Sequence, residues 1–471
     1  MSAVAESVQT PVTAARARIA LASAATAMLL ISFVSTATNI AVPALEDEFS
    51  TRPLTTISWV VTAFNVAQVT LMLVGGRVAD RRGRRLVFVI GMIVFAFGAL
   101  ASAVAPNLEI LIGARILQAV GAALVLPASL VAVLPTYPVE RHATVVSLWA
   151  SMGVVGATVA PTISAGLLTV GGWRFVFAVA APVAGLAALL GWRVLPESRA
   201  APSDLSPLDL LGATAGTVAV GALAFSIVQG RVWGWTSNPI LGTLALTVTA
   251  VAVFVHRSTT HPEPLVDLAL FRIRAFLVPT LASGTLAAAG AATWFLYPLF
   301  MKEIWGFTVL QIGLGMSPGA LTMVIVTLFA GPLADKHGYR QLLVLGSMLP
   351  VAGIGWMAVY LNGHSSYAFG FLPGTMLIGV GMGLVFGPMN ASALRDVTSE
   401  ALGSANAAFN TVRFLGSALG VAMAAALLGN TDGQDRADAF GLAFWLLTAL
   451  VAISPVLLAV GFPRDRHHRR S

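Results

Sequence analysis

The 471-residue chain contains no cysteine, so disulfides and thiolate metal sites are excluded. Charge is scarce: Asp, Glu, Lys and Arg make up 10% of residues, against about 25% in a typical soluble domain. A water-facing surface cannot be built from so few charges. Carboxylates are missing where they would matter most. Glu109, Asp209, Glu303 and Asp396 all lie at the ends of long apolar stretches, and none lies near the middle of one. Neither an H-E-x-x-H pattern nor a pair of deep aspartates is present, which argues against an intramembrane enzyme. No long soluble segment is present either, which argues against a receptor or sensor. His142, His261, His337, His467 and His468 fall in expected loops or the tail without clustered ligands, so neither a metal site nor a cofactor is expected.

What remains is 57% hydrophobic. Apolar runs of roughly 20 residues recur from end to end, each long enough to cross about 30 Å of hydrocarbon. The pattern predicts an all-α integral membrane protein with helices near residues 17–42, 55–77, 86–105, 109–133, 144–168, 174–195, 209–229, 239–256, 276–301, 310–333, 341–361, 368–391, 404–428 and 440–462. The first run is too long for a signal-peptide core and lacks a small-residue cleavage site, so it is read as a retained helix.

Two connections are longer than the rest, 196–208 and 257–275. The net charge of +7 does not point to nucleic acid, because the basic residues are scattered at the ends of apolar runs. They instead orient the chain. Placing the first residues in the cytoplasm puts 20 Arg and Lys on that side and 5 on the other (Arg52, Arg174, Arg231, Lys302 and Arg436). Both termini are therefore expected to be cytoplasmic.

An internal repeat is visible. Gly76-Arg77-Val78-Ala79-Asp80-Arg81-Arg82-Gly83-Arg84-Arg85 and Gly331-Pro332-Leu333-Ala334-Asp335-Lys336-His337-Gly338-Tyr339-Arg340 share G-x-x-A-D-[RK]-x-G-x-R, 255 residues apart. Two repeats related by an axis along the membrane normal are a transporter architecture. The expected division is a six-helix bundle over 1–200, two inserted helices over 201–275 and a second six-helix bundle over 276–471.

The first loop resembles the signature between helices 2 and 3 of the major facilitator superfamily. The count of 14 helices and the segment Asn406 to Gly416 resemble its drug:proton antiporter branch. Leu111 to Gln118 resembles the buried-arginine motif of helix 4. Gly156, Pro161 and Gly166 on helix 5 resemble the glycine-proline antiporter motif, with Ala160 and Ser164-Ala165 where the family has glycines. Phe33 to Pro43 resembles the branch's first-helix motif, with Val34 where the family carries an Asp that is a favoured proton carrier. The resemblance implies a major facilitator fold and alternating access. It also implies a monomer in the plasma membrane that exports hydrophobic or amphipathic small molecules in exchange for protons. A transporter of anionic or lipid-like substrates, not using the first-helix proton site, is the alternative.

Candidate site residues follow from depth and periodicity. Arg115 lies about 9 Å into helix 4 at 1.5 Å per residue. A cation there must reach water, a partner or backbone carbonyls, so it either faces a cavity or is bonded structurally. Asn406, Asn410, Arg413 and Ser417 recur at helical spacing and form one polar face. Ser32, Ser35, Thr36 and Asn39 form another on helix 1. Ser58, Thr62, Asn65 and Gln68 form a third on helix 2, and Gln118 joins Arg115. Each is either a hydrogen-bonded seam or part of one wet cavity. Phe33, Trp59, Trp149, Trp294, Tyr297 and Phe386 offer aromatic surface or ordinary packing. Gly76, Asp80, Arg81, Gly83 and Arg84, with Asp335 and Arg340 in the repeat, are expected to form a cytoplasmic gate.

Overall fold

A computed structural model describes residues 14–138, 141–197, 209–261, 268–361, 366–397, 402–429 and 434–463. The described residues are almost entirely helical. The helices are α1 (Ala14–Glu48), α2 (Leu54–Ile57), α3 (Trp59–Arg82), α4 (Arg84–Ala103), α5 (Leu108–Val133), α6 (His142–Ala178), α7 (Ala180–Val194), α8 (Leu210–Trp233), α9 (Asn238–Thr260), α10 (Arg274–Glu303), α11 (Val309–His337), α12 (Tyr339–Tyr360), α13 (Leu372–Leu394), α14 (Leu402–Leu428) and α15 (Gln434–Gly461).

Thirteen helical stretches are long and apolar enough to span a bilayer. One of them, Val155–Val194, runs for 40 residues. That is about 60 Å of helix, twice the hydrocarbon thickness. It is broken at Gly172, whose φ of 67° and ψ of −170° reverse the chain. Counting both sides of the break gives fourteen crossings, and the start of α1 and the end of α15 share one face, here called the terminal side.

The first seven helices pack mainly on one another, through α1 with α6, α3 with α5, and α4 with α5 and α7. The last six do the same, through α10 with α14 and α15, and α13 with α11 and α12. These are called the first and second bundles. Between them α8 and α9 form a hairpin whose α8 rests on α3 and α14. Its terminal-side end is fastened by Asp209, which is 2% exposed. The Asp209 carboxylate accepts from Gly212 N and from the Arg257 guanidinium, both at 2.9 Å.

The 255-residue repeat is structural as well as sequential. Gly83 (φ 108°) separates α3 from α4, and Gly338 (φ 82°) separates α11 from α12. In each the glycine N–H donates to the carbonyl four residues back, Ala79 at 3.0 Å and Ala334 at 2.9 Å. Such φ values suit glycine and strain other residues. The helix that follows also packs closely in both repeats. A Cβ on Gly121 would lie 2.6 Å from Gly91 O, and one on Gly381 would lie 2.6 Å from Gly346 O.

Two helix ends differ from the expectation. The sequence reading ends the first helix at Val42 because Pro43 follows, but α1 continues to Glu48. The missing N–H leaves only the Asn39 carbonyl without its helical donor, and the helix runs on past it. Here Lys302 Nζ donates to Pro43 O at 2.7 Å. Helix 12 was expected from residue 368; Tyr367–Phe371 form a π-helical turn ahead of α13.

Candidate functional site

The deep polar residues fall into three groups. Arg115 is fully enclosed, at 1% exposure. Its Nε donates to Val60 O at 3.1 Å, and its terminal NH1 donates to Gln118 Oε1. The guanidinium stacks 4.1 Å from the centroid of Phe64 and 5.4 Å from that of Phe177. This is the backbone-bonded alternative of the two stated for it, and it joins α5 to α3. Gln118 is itself buried, and its Nε2 finds no partner.

The polar faces of α1 and α3 are also packed inward. Asn39 Nδ2 donates to Ser35 O at 3.2 Å, and its Oδ1 has no partner. Asn65 and Gln68 are buried on α3. Val34, at the position of the family's acidic residue, is buried among apolar side chains. Trp149 donates to Ser129 Oγ at 3.1 Å and ties α6 to α5. Tyr297 packs edge-on against Phe371, with ring centroids 4.8 Å apart. Among the described residues, the rings stacked on the Arg413 guanidinium are Phe386 and Phe414 instead.

The third group is partly exposed: Asn406 is exposed, and Asn410 and Arg413 are half-buried. Asn406, Asn410 and Arg413 share one face of α14. Asn410 Nδ2 donates to Asn406 O at 2.8 Å, and Asn390 on α13 donates to Asn406 Oδ1 at 3.1 Å. Ser417 Oγ donates to Arg413 O at 3.3 Å. The Arg413 guanidinium lies between two rings, 5.0 Å from Phe386 and 4.9 Å from Phe414. The adjoining face of α14 is pressed onto α10, where a Cβ on Gly416 would fall 2.2 Å from Gly284 O. Asn390 and Phe414 were not anticipated as members. Asn390 precedes the loop to α14 by a few residues, and only the helical hairpin brings it opposite Asn406.

Of the expected gate, Gly76 sits in ordinary contact with Pro127, and Arg81 lines a hollow of ≈ 350 Å³ with Val78, Leu86 and Leu124. Arg84 is half-buried at the start of α4. The side chains of Asp80 and Asp335 lie outside the described ones. The repeat-related Arg85 and Arg340 do equivalent work. Arg85 pairs with Glu197 at 3.4 Å, just beyond α7. Arg340 donates to Ala459 O near the end of α15. Each therefore ties the third helix of its bundle to the last.

Contacts between bundles lie on the other side. Gly156 lets α6 reach α1 inside the first bundle, where a Cβ would be 2.2 Å from Leu29 O. Pro161 instead faces the second bundle: a Cβ on Gly313 of α11 would be 2.5 Å from its carbonyl oxygen. Thr162 and Ser317 share a 2.6 Å hydrogen bond across the same crossing. Gly166 meets open space.

Beyond the crossing, α1 ends in Glu46, Asp47 and Glu48. Lys302 pairs with Asp47 at 2.6 Å, and Arg436 pairs with Glu303 at 2.6 Å and Glu46 at 3.5 Å. Arg174 pairs with Glu48 at 3.0 Å. The sequence reading used Arg174, Lys302 and Arg436 only to orient the chain. Their pairing was hidden because α1 was ended too early to carry its carboxylates there.

Fourteen crossings, a duplicated loop and two packed bundles define a polytopic membrane transporter. The profile of the Major Facilitator Superfamily matches residues 24–421, with a second match over 279–471, and the chain belongs to that family. It is 30% identical to the cephamycin export protein CmcT of Amycolatopsis lactamdurans, over 94% of this chain and 93% of that protein. It is 28% identical to the multidrug resistance protein Stp of Mycobacterium tuberculosis, covering 83% and 72%. It is 26% identical to the methylenomycin A resistance protein of Streptomyces coelicolor, covering 91% and 90%. Among solved structures, the crystal structure of a D-xylose-proton symporter superposes with a TM-score of 0.70 over 95% of this chain and 98% of that one. At 16% identity that likeness speaks to fold alone.

Proposed function

We propose that this protein exports hydrophobic or amphipathic small molecules across the plasma membrane by alternating access, in exchange for protons. The observation that carries the reading is an asymmetry between the two sides. Away from the termini the bundles are bridged by Gly313 on Pro161, by Thr162 with Ser317 and by the ion pairs of α1 with α10 and α15, besides the packing of α3 on α14. Toward the termini, the face carrying Asn406 and Arg413 remains accessible. That asymmetry supports the reading of a transporter closed on one side and open on the other. The excess of Arg and Lys on the terminal side supports placing that side in the cytoplasm. Relatives named for export and drug resistance support the outward direction.

The moving bodies in this reading are the two six-helix bundles, with α8 and α9 as the insertion. A proton moving down about 100 mV supplies roughly 2.3 kcal/mol. One pH unit adds about 1.4 kcal/mol. Their sum would hold a substrate gradient of a few hundredfold. The proton carrier is not the usual first-helix acid, since Val34 stands there.

The test is transport in proteoliposomes with an imposed pH gradient. A neutral amphipathic dye should move against its gradient, with matching proton movement reported by an internal pH dye. Dye movement insensitive to the pH gradient and to protonophore would remove proton exchange and leave facilitated transport.

A further inference from the structure

We infer that Arg413, with Phe386 and Phe414 beside it, forms a binding site for the carboxylate of a small amphipathic substrate. The inference rests on the exporter reading and names the substrate class for it. Arg413 sits eleven residues into α14, about 16 Å of helix from its terminal-side end. A cation at such depth needs a counter-charge or water. Arg115, the other deep cation, is supplied by a carbonyl and an amide within hydrogen-bond reach. Arg413 has no such partner among the described residues: its guanidinium is met only by the faces of Phe386 and Phe414.

Two rings flanking a guanidinium leave its N–H edge as the direction for a ligand. That edge matches a carboxylate through two parallel hydrogen bonds. No lysine or second arginine accompanies it in the described contacts, so the positive charge is single and suits one negative charge better than a phosphate dianion. The neighbours describe the rest of the ligand. Phe386 is 37% exposed and offers an apolar wall. Asn410 and Asn406 lie about 4.5 and 10.5 Å along the helix and offer amides beyond it. A molecule with an acid group, an apolar body and a few polar atoms fits this order.

The test uses purified protein in neutral phosphatidylcholine nanodiscs with two fluorescent probes, 11-(dansylamino)undecanoic acid and its methyl ester. Wild type should bind the acid at least tenfold more tightly than the ester at pH 7.5. Arg413→Gln should remove the preference while leaving ester affinity within twofold, which also shows that the variant is folded. Arg413→Lys should keep part of the preference, because the charge stays and the fork is lost. Equal affinity for acid and ester in wild type, failure to bind either, or a preference that survives Arg413→Gln would overturn the inference. So would displacement of the acid by nanodiscs containing phosphatidylglycerol, which would make this a lipid headgroup site. Binding is read without turnover. An acid preference that persists in protein unable to export dye would therefore sink the exporter reading and leave this site standing.

Discussion

Two arginines lie deep in this chain, and they are satisfied in opposite ways. Arg115 spends its donors on Val60 O and Gln118 Oε1 and its faces on Phe64 and Phe177. Removing it would leave a void and an unanswered amide, at a cost on the order of 2 kcal/mol or more. Arg115→Ala should therefore lower the melting temperature in detergent by several degrees, with Arg115→Lys a poor rescue because an ammonium cannot fork between the two acceptors. A melting temperature equal to wild type, together with lost transport, would instead put Arg115 in contact with substrate. The sequence marked both arginines by depth and periodicity but had no means to separate them. What separates them is the set of neighbours, and Phe64, Phe177 and Phe386 arrive from helices far apart in the chain.

At the scale of helices, the repeat was the most legible feature. Its glycines repeat their φ values and its arginines, Arg85 and Arg340, repeat their attachment to the last helix of each bundle. The helix 5 segment was legible as small residues but not as to what each one meets. Gly156 serves contact within the first bundle, whereas Pro161 meets Gly313 of the second. No local pattern distinguishes those roles, because the partner surfaces are set by tertiary packing. This yields a prediction for the α6–α11 crossing. Gly313→Val would place its Cβ 2.4 Å from Ala165 Cβ and 2.5 Å from Pro161 O, so the two helices must separate. The variant should insert and remain monodisperse, yet lose most transport. The matching change at Gly166→Val, which meets open space, should be close to neutral. Equal losses in both would show that helix 5 tolerates no bulk anywhere, and that the crossing is not special.

At the scale of the whole molecule, the bundles meet through helix packing, α6 on α11 and α3 on α14, and through polar contacts away from the termini that are individually modest. The ion pairs joining α1 to α10 and α15 are partly exposed; Lys302 keeps 29% of its side-chain surface and Arg436 12%. Pairs of this kind are worth about 0.2–1 kcal/mol each, and salt screens them. Together with the Thr162–Ser317 bond they amount to roughly 1–2 kcal/mol, enough to bias two states by about tenfold without locking either. In the alternating-access reading proposed above, polar contacts of this size help hold that side without locking it. Because the chain has no cysteine, two introduced thiols report the distance without background. Spin labels at Thr51→Cys and Thr308→Cys, both exposed on that side, should give mainly a short distance in wild type. Adding Lys302→Gln and Arg436→Gln should shift the population toward a longer distance by about tenfold in the ratio. Raising the salt concentration to 0.5 M should move the wild type in the same direction but less far, since Arg436 is the more shielded of the two cations. A distance distribution unmoved by both substitutions and salt would transfer the closing role to the Pro161–Gly313 packing, and the charges would then serve only to orient the helices in the bilayer.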